Sequence, residues 1–135
     1  MIKSNYLDKF NLEGKTCFVL GGSGLVGLET CKAFLDFGAK VVVLDLDAKK
    51  IETLKAKGAF TSDLLYAERF DCSDLVNLED NLSAMIDKYS CPNVFVNTAY
   101  PRTENWLNTS FDSLNLVTLE ENIKDNLISM SWLSR

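Results

Sequence analysis

The chain has 135 residues, enough for one compact domain and too few for two. Hydrophobic residues make up 47% and charged residues 24%, a globular balance that excludes a disordered chain. A formal net charge of −5 argues against a broad electrostatic grip on nucleic acid or on acidic lipid, so neither is expected as a partner. Histidine is absent, which removes His-ligated zinc, His general bases and serine–histidine hydrolase chemistry.

The apolar runs at 41–44 and 94–96 are far shorter than a membrane span, and residues 1–6 carry no apolar core of a secretory signal. A cytoplasmic chain with no membrane contact is the expectation. Cys17, Cys31, Cys72 and Cys91 show no C-x-x-C spacing, so reduced and mostly buried thiols are expected, with no metal site.

In chain order, residues 16–20 read as a buried strand and 21–27 as a glycine turn. Leu25, Leu28, Cys31, Phe34 and Leu35 then recur at helical spacing up to Gly38, a natural stop. Residues 41–44 form a second strand, and Ile51 and Leu54 mark a short helix ending at Gly58. Residues 65–70 are a weaker third strand, interrupted by Glu68 and Arg69. Leu75, Leu78, Leu82, Met85, Ile86 and Tyr89 form a helical stripe. Pro92 cannot continue that helix, and 93–97 reads as a fourth strand. After a polar loop, Leu119, Ile123, Leu127, Met130 and Leu133 give a last helix. Alternating strands and helices, with strands apolar on both sides, predict an α/β fold: a parallel sheet with helices on both faces.

The sharpest local signal is Gly21-Gly22-Ser23-Gly24-Leu25-Val26-Gly27, directly after a strand and opening a helix. Glycines at 21, 24 and 27 permit a tight turn, close backbone approach to a pyrophosphate, and close helix–strand packing. The helix N-terminus behind them offers N–H groups to that anion, although a glycine triplet alone also fits an ordinary turn. Asp45 ends the second strand 18 residues after Gly27, where a carboxylate can accept hydrogen bonds from both adenosine-ribose hydroxyls. It would repel a 2′-phosphate, so NAD is favoured; Lys49 and Lys50 keep NADP as the alternative. Asp45 also fits a helix cap, a role for which Asp47 is better placed.

The lead-in 12–16, the glycine turn and Asp45 together resemble the short-chain dehydrogenase/reductase family, which implies a Rossmann-type doubly wound sheet. Phe70-Asp71-Cys72-Ser73-Asp74 resembles the family's D-x-[ST]-D stretch, whose first Asp contacts the adenine. Val94-Phe95-Val96-Asn97-Thr98-Ala99-Tyr100 resembles its N-N-A-G stretch, which lines the cofactor. The resemblance implies a cofactor site made of Gly21, Ser23, Gly24, Leu25, Val26, Gly27, Asp45, Leu46, Asp71, Cys72, Asn97, Ala99 and Tyr100. Asp71 and Asp74 equally suit capping of a helix starting at Leu75, and Asn97 suits a strand-end contact.

Asn126 is the one catalytic candidate. Positions 119, 123, 126, 130 and 133 share a helical face on which Asn126 is the only polar side chain. Asp125-Asn126-Leu127-Ile128-Ser129 resembles the family segment whose Asn holds a water of the proton relay, and a structural tie to the sheet is the alternative role.

The family's chemistry also uses a Ser and a Tyr-x-x-x-Lys, and none of Tyr6, Tyr66, Tyr89 and Tyr100 has Lys four residues later. The expectation is a single NAD(P)-binding domain over 1–135, truncated after the fourth strand and its following helix, and inactive alone. In that case the apolar strand 94–96 would form an exposed, aggregation-prone edge. The activity implied is hydride transfer between nicotinamide and a carbonyl or hydroxyl substrate, in a protein that is a homo-oligomer when full length. The glycine spacing also resembles sugar-nucleotide epimerases and dehydratases. Residues 97–102 resemble reductases of bacterial flagellin and surface-sugar biosynthesis, which implies a sugar or sugar-nucleotide substrate. A non-catalytic dinucleotide sensor is the alternative from another class. Arg102 suits either a substrate phosphate or carboxylate, or a solvated loop.

Overall fold

The computed structural model describes residues 9–60, 62–103 and 110–135. Four strands, β1 (Thr16–Leu20), β2 (Lys40–Asp45), β3 (Leu65–Arg69) and β4 (Val94–Asn97), form one parallel sheet in the order β3-β2-β1-β4. Helices α1 (Leu25–Asp36), α2 (Ala48–Ala56) and α3 (Leu78–Tyr89) connect them, as parallel pairing requires. Past β4, α4 (Leu116–Ile123) continues through a π-helical turn (Lys124–Ile128) into α5 (Ser129–Leu133). Among the described residues, no helix is long and apolar enough to cross a membrane.

The doubly wound α/β architecture follows from side chains that alternate across β1 and β2. Cys17, Val19, Val41 and Val43 pack with Cys31, Ile51 and Leu65 on one face. Phe18, Leu20, Val42 and Leu44 pack with Phe70, Leu78, Tyr89 and Leu133 on the other. All eight residues of β1 and β2 in these clusters are buried, and each fully buried aliphatic or aromatic side chain contributes about 1.5–3 kcal/mol. Gly38, at φ +85°, ends α1 as its spacing predicts: its N–H donates to the Leu35 carbonyl (2.9 Å), and the Ala39 N–H to Phe34 (3.0 Å).

Three local expectations are corrected. Leu25 is 88% exposed, so the inward stripe of α1 begins at Leu28. The third helix starts at Leu78: Leu75 lies in a preceding turn, its N–H on the Ser73 carbonyl (2.9 Å), yet still packs against the core. In the last helix, Leu119, Ile123 and Leu127 are exposed, and Thr118, Ser129 and Leu133 are buried. The π turn inserts an extra residue and rotates the two halves relative to one another, which a uniform 3.6-residue period cannot anticipate.

Candidate functional site

The chain steps from β1 outward to β2 and β3, then returns to place β4 on the other side of β1. Ligands of parallel sheets bind at such a reversal, beyond the carboxyl ends of the strands. A cleft of about 290 Å³ opens there. Its walls are the glycine turn (Gly21, Ser23, Gly24), the end of β2 (Asp45, Leu46), the turn after β3 (Phe70 through Ser73) and the segment after β4 (Thr98 through Pro101).

Three of the turn's four glycines, Gly21, Gly24 and Gly27, do different work. Gly21 sits at φ +74°, and a Cβ there would lie 2.5 Å from the Ala99 nitrogen, so the ends of β1 and β4 meet only because it has no side chain. A Cβ on Gly27 would run into the Gly21 carbonyl and lie 2.6 Å from the Gly22 Cα; it allows α1 to press onto the turn. Gly24 is different. A Cβ there would meet only the Gly21 carbonyl, at 3.3 Å, and would otherwise occupy open cleft. The protein's own packing asks only a few tenths of an ångström of adjustment for a side chain at 24, whereas a phosphate approaching the backbone would need the space itself. Gly24 is also the N-cap of α1, with no side-chain cap bond and no acidic residue in the first turn, so no side chain of the helix itself offsets the positive end at the cleft.

Across the turn, both carboxylate oxygens of Asp45 accept backbone N–H bonds: Oδ2 from Ser23 and Oδ1 from Asp47, each at 3.0 Å. Asp47 occupies the N-cap position of α2 but makes no side-chain cap bond. Lys50, read in sequence as a residue open to a 2′-phosphate, donates instead to the Ser23 carbonyl (2.6 Å). Asp71 Oδ1 accepts from the backbone N–H and the hydroxyl of Ser73 (3.0 and 2.7 Å). That turn, rather than a helix cap, fixes its carboxylate on the cleft wall; Asp74 likewise bonds Asn77 and not the helix. The Cys72 thiol is pushed up to about 11 by burial, with the Asp71 carboxylate adding to it, so it is an uncharged part of the wall.

Of the thirteen residues expected around a cofactor, Gly21, Ser23, Gly24, Asp45, Leu46, Asp71, Cys72, Ala99 and Tyr100 line the cleft. Leu25, Val26, Gly27 and Asn97 do not. Leu25 and Val26 turn their side chains to solvent, and Gly27 is a packing glycine. Asn97 braces the strand end: its Oδ1 accepts from the Ala99 N–H (2.9 Å) and its amide donates to the Met130 sulfur. Asn126 stands behind the cleft, donating to the Pro101 carbonyl (3.1 Å) and the Asn122 carbonyl (3.3 Å). It therefore holds the segment that forms one wall. Phe70, Ser73, Thr98 and Pro101, which lie within the family-like stretches 70–74 and 97–102, also line the cleft. Leu20 and Leu44 line it as well, and their signal in the sequence is position alone, at a strand's carboxyl end. Thr98 also closes the rim, its hydroxyl donating to the Leu20 carbonyl (2.8 Å). Arg102 is exposed.

This arrangement can hold a dinucleotide: a helix end for a pyrophosphate, a carboxylate for ribose hydroxyls, and apolar side chains for ring faces. A model of the short chain dehydrogenase family matches residues 15–135. The chain belongs to that family. It is 37% identical over 99 residues to the short chain dehydrogenase/reductase dpchG of Colletotrichum higginsianum, an alignment covering 71% of this chain and 36% of that protein. It is 30% identical over 97 residues to post-translational flagellin modification protein A of Campylobacter coli, covering 70% and 38%. Its fold matches a short chain dehydrogenase of Leptospira borgpetersenii solved with bound NAD+, with a TM-score of 0.69 at 22% identity, over 99% of this chain and 48% of the other. The chain thus spans about a third to a half of the proteins it matches. The family resemblance read from the motifs is borne out, as is the fold.

Proposed function

We propose that this chain carries the NAD-binding part of an oxidoreductase that transfers hydride between nicotinamide and a carbonyl or carbinol carbon. The observation that carries the reading is the opposition of Gly24, open to the cleft, and the Asp45 carboxylate, fixed across from it. Gly21, Ser23 and Gly24 would surround the pyrophosphate with the N-terminus of α1 behind it. Asp45 would accept the ribose hydroxyls and disfavour NADP. Leu46, Asp71 and Cys72 would flank the adenine, and Ala99 and Tyr100 the nicotinamide side. Bound NAD supplies the hydride chemistry; the residues here bind, orient and exclude water. The Leptospira protein's bound NAD+ supports the choice of cofactor.

Asn126 serves in this reading as the brace of the 98–101 wall. No Tyr-x-x-x-Lys pattern occurs in these 135 residues, so they contribute binding rather than the proton-transferring pair. A sugar or sugar nucleotide is the substrate class we favour, on the resemblance of residues 97–102, and the whole protein is proposed to act as a homo-oligomer. Titrating the full-length protein with NAD tests the reading. Saturable binding, displaced by ADP-ribose, is expected; no binding at millimolar NAD refutes it.

A further inference from the structure

The glycine turn and the start of α2 are joined by a closed circuit of four hydrogen bonds. The Ser23 N–H donates to Asp45 Oδ2 (3.0 Å), and the Ser23 carbonyl accepts from Lys50 Nζ (2.6 Å). The Lys50 N–H donates to the Asp47 carbonyl (3.1 Å), and the Asp47 N–H donates to Asp45 Oδ1 (3.0 Å). Ser23 therefore sits between an ammonium on its carbonyl and a carboxylate on its amide, and its side chain is buried. Each of these charges is hydrogen-bonded to backbone, and charge-assisted bonds are the stronger kind.

We propose that Lys50 is a positioning residue for the dinucleotide, acting through Ser23 on Asp45. The proposal rests on the reading of the cleft as an NAD site. A carboxylate on a rotatable side chain reads two ribose hydroxyls well only when its plane is fixed. Here both oxygens are pinned, one by α2 and one by the glycine turn, and Lys50 is the group that ties those two anchors together. Without its ammonium the Ser23 carbonyl loses its strongest partner, the turn gains freedom to rotate that peptide, and the bond from the Ser23 N–H to Asp45 weakens. Lys50 itself need not touch the ligand. Because its side chain is largely exposed, the effect is moderate.

The test is a double-mutant cycle on the full-length protein, read as the NAD dissociation constant. Lys50→Met and Lys50→Gln are each expected to weaken NAD by roughly five- to tenfold, the loss of one partly exposed charge-assisted bond. Lys50→Arg, which keeps a cation on a stem of similar reach, is expected to restore affinity to within about twofold of wild type. In an Asp45→Ala background, Lys50→Met is expected to add less than about twofold, because its route to the ligand has gone. Equal binding by wild type, Lys50→Met and Lys50→Gln overturns the proposal and leaves the NAD site intact. So does a full, additive loss in the Asp45→Ala background, which would show the cation acting on the ligand directly. If wild type itself fails to bind NAD, the dinucleotide reading falls and this proposal with it.

Discussion

Gly21 and Gly24 belong to one turn, yet the structure predicts opposite consequences for alanine at the two positions. At Gly21 a methyl group meets the Ala99 nitrogen at 2.5 Å and the Thr98 carbonyl carbon at 2.8 Å, both main-chain atoms that cannot turn aside. Its φ of +74° adds the left-handed penalty of a side-chain-bearing residue. Strain of about 1–2 kcal/mol and overpacking of about 1–3 kcal/mol give about 2–5 kcal/mol in all. That is a large share of the about 5–15 kcal/mol that holds a domain together. At Gly24 the φ is −76°, and the methyl group meets only the Gly21 carbonyl at 3.3 Å, so the main penalty is the poorer N-cap, about 0.5–1 kcal/mol. That methyl group stands where the pyrophosphate would approach the backbone. Gly24→Ala is thus expected to melt within a few degrees of wild type while binding NAD at least tenfold more weakly. Gly21→Ala is expected to lose much of its thermal stability whether or not ligand is present. Differential scanning fluorimetry paired with NAD titration separates the two. Full NAD affinity in Gly24→Ala, or a stability loss there as large as in Gly21→Ala, would refute the assignment of one glycine to packing and the other to the ligand.

Iodoacetamide at pH 8 is expected to label Cys91 first, because it is the exposed cysteine, and to spare Cys17, Cys31 and Cys72; peptide mass spectrometry reads the order. With its thiol pushed up to about 11, only about one Cys72 in a thousand is thiolate at that pH. Asn126→Leu removes the donor to the Pro101 carbonyl, so it should loosen the 98–101 wall and raise the NAD dissociation constant several-fold, seen by calorimetry. Unchanged affinity would show that the wall stands without it. Tyr89→Phe deletes the hydroxyl that donates to Glu68 and should cost about 1 kcal/mol in urea unfolding. Burial raises the Glu68 pKa, but the bonds from Lys88 and Tyr89 outweigh it, and the net direction is down. This contribution is therefore present above the ordinary Glu pKa and lost as pH falls through the lowered value. The Tyr89→Phe deficit should shrink in acid.

The central strands were legible because strands buried on both faces read as short apolar runs, and β1 was placed to the residue; β3, which carries Glu68 and Arg69 at the sheet edge, gave the weaker signal that its partial exposure explains. The cleft was legible where a glycine or carboxylate lies at or just past the end of a strand, as at Gly24, Asp45 and Asp71. Apolar floor residues such as Leu20 and Leu44 carry no chemical signal and read only as core. Asn97 was polar and at a strand end, but its side chain satisfies the local backbone, a choice the sequence leaves open. The face of the last helix was misread in its first half because one π turn shifts Leu119 and Ile123 away from the sheet and brings Thr118 in. Leu25 followed the helical period yet lies over the turn, ahead of the point where α1 meets the sheet.

The central claim is that Asp45 reads the ribose of NAD in this cleft. Calorimetric titration of the wild-type protein and of Asp45→Ser with NAD and with NADP tests it most directly. The account predicts that wild type prefers NAD. In Asp45→Ser, NAD should weaken by at least tenfold, about 1.5–3 kcal/mol for a lost charge-assisted bond, while NADP weakens little or tightens. An unchanged ratio between the two cofactors would contradict it.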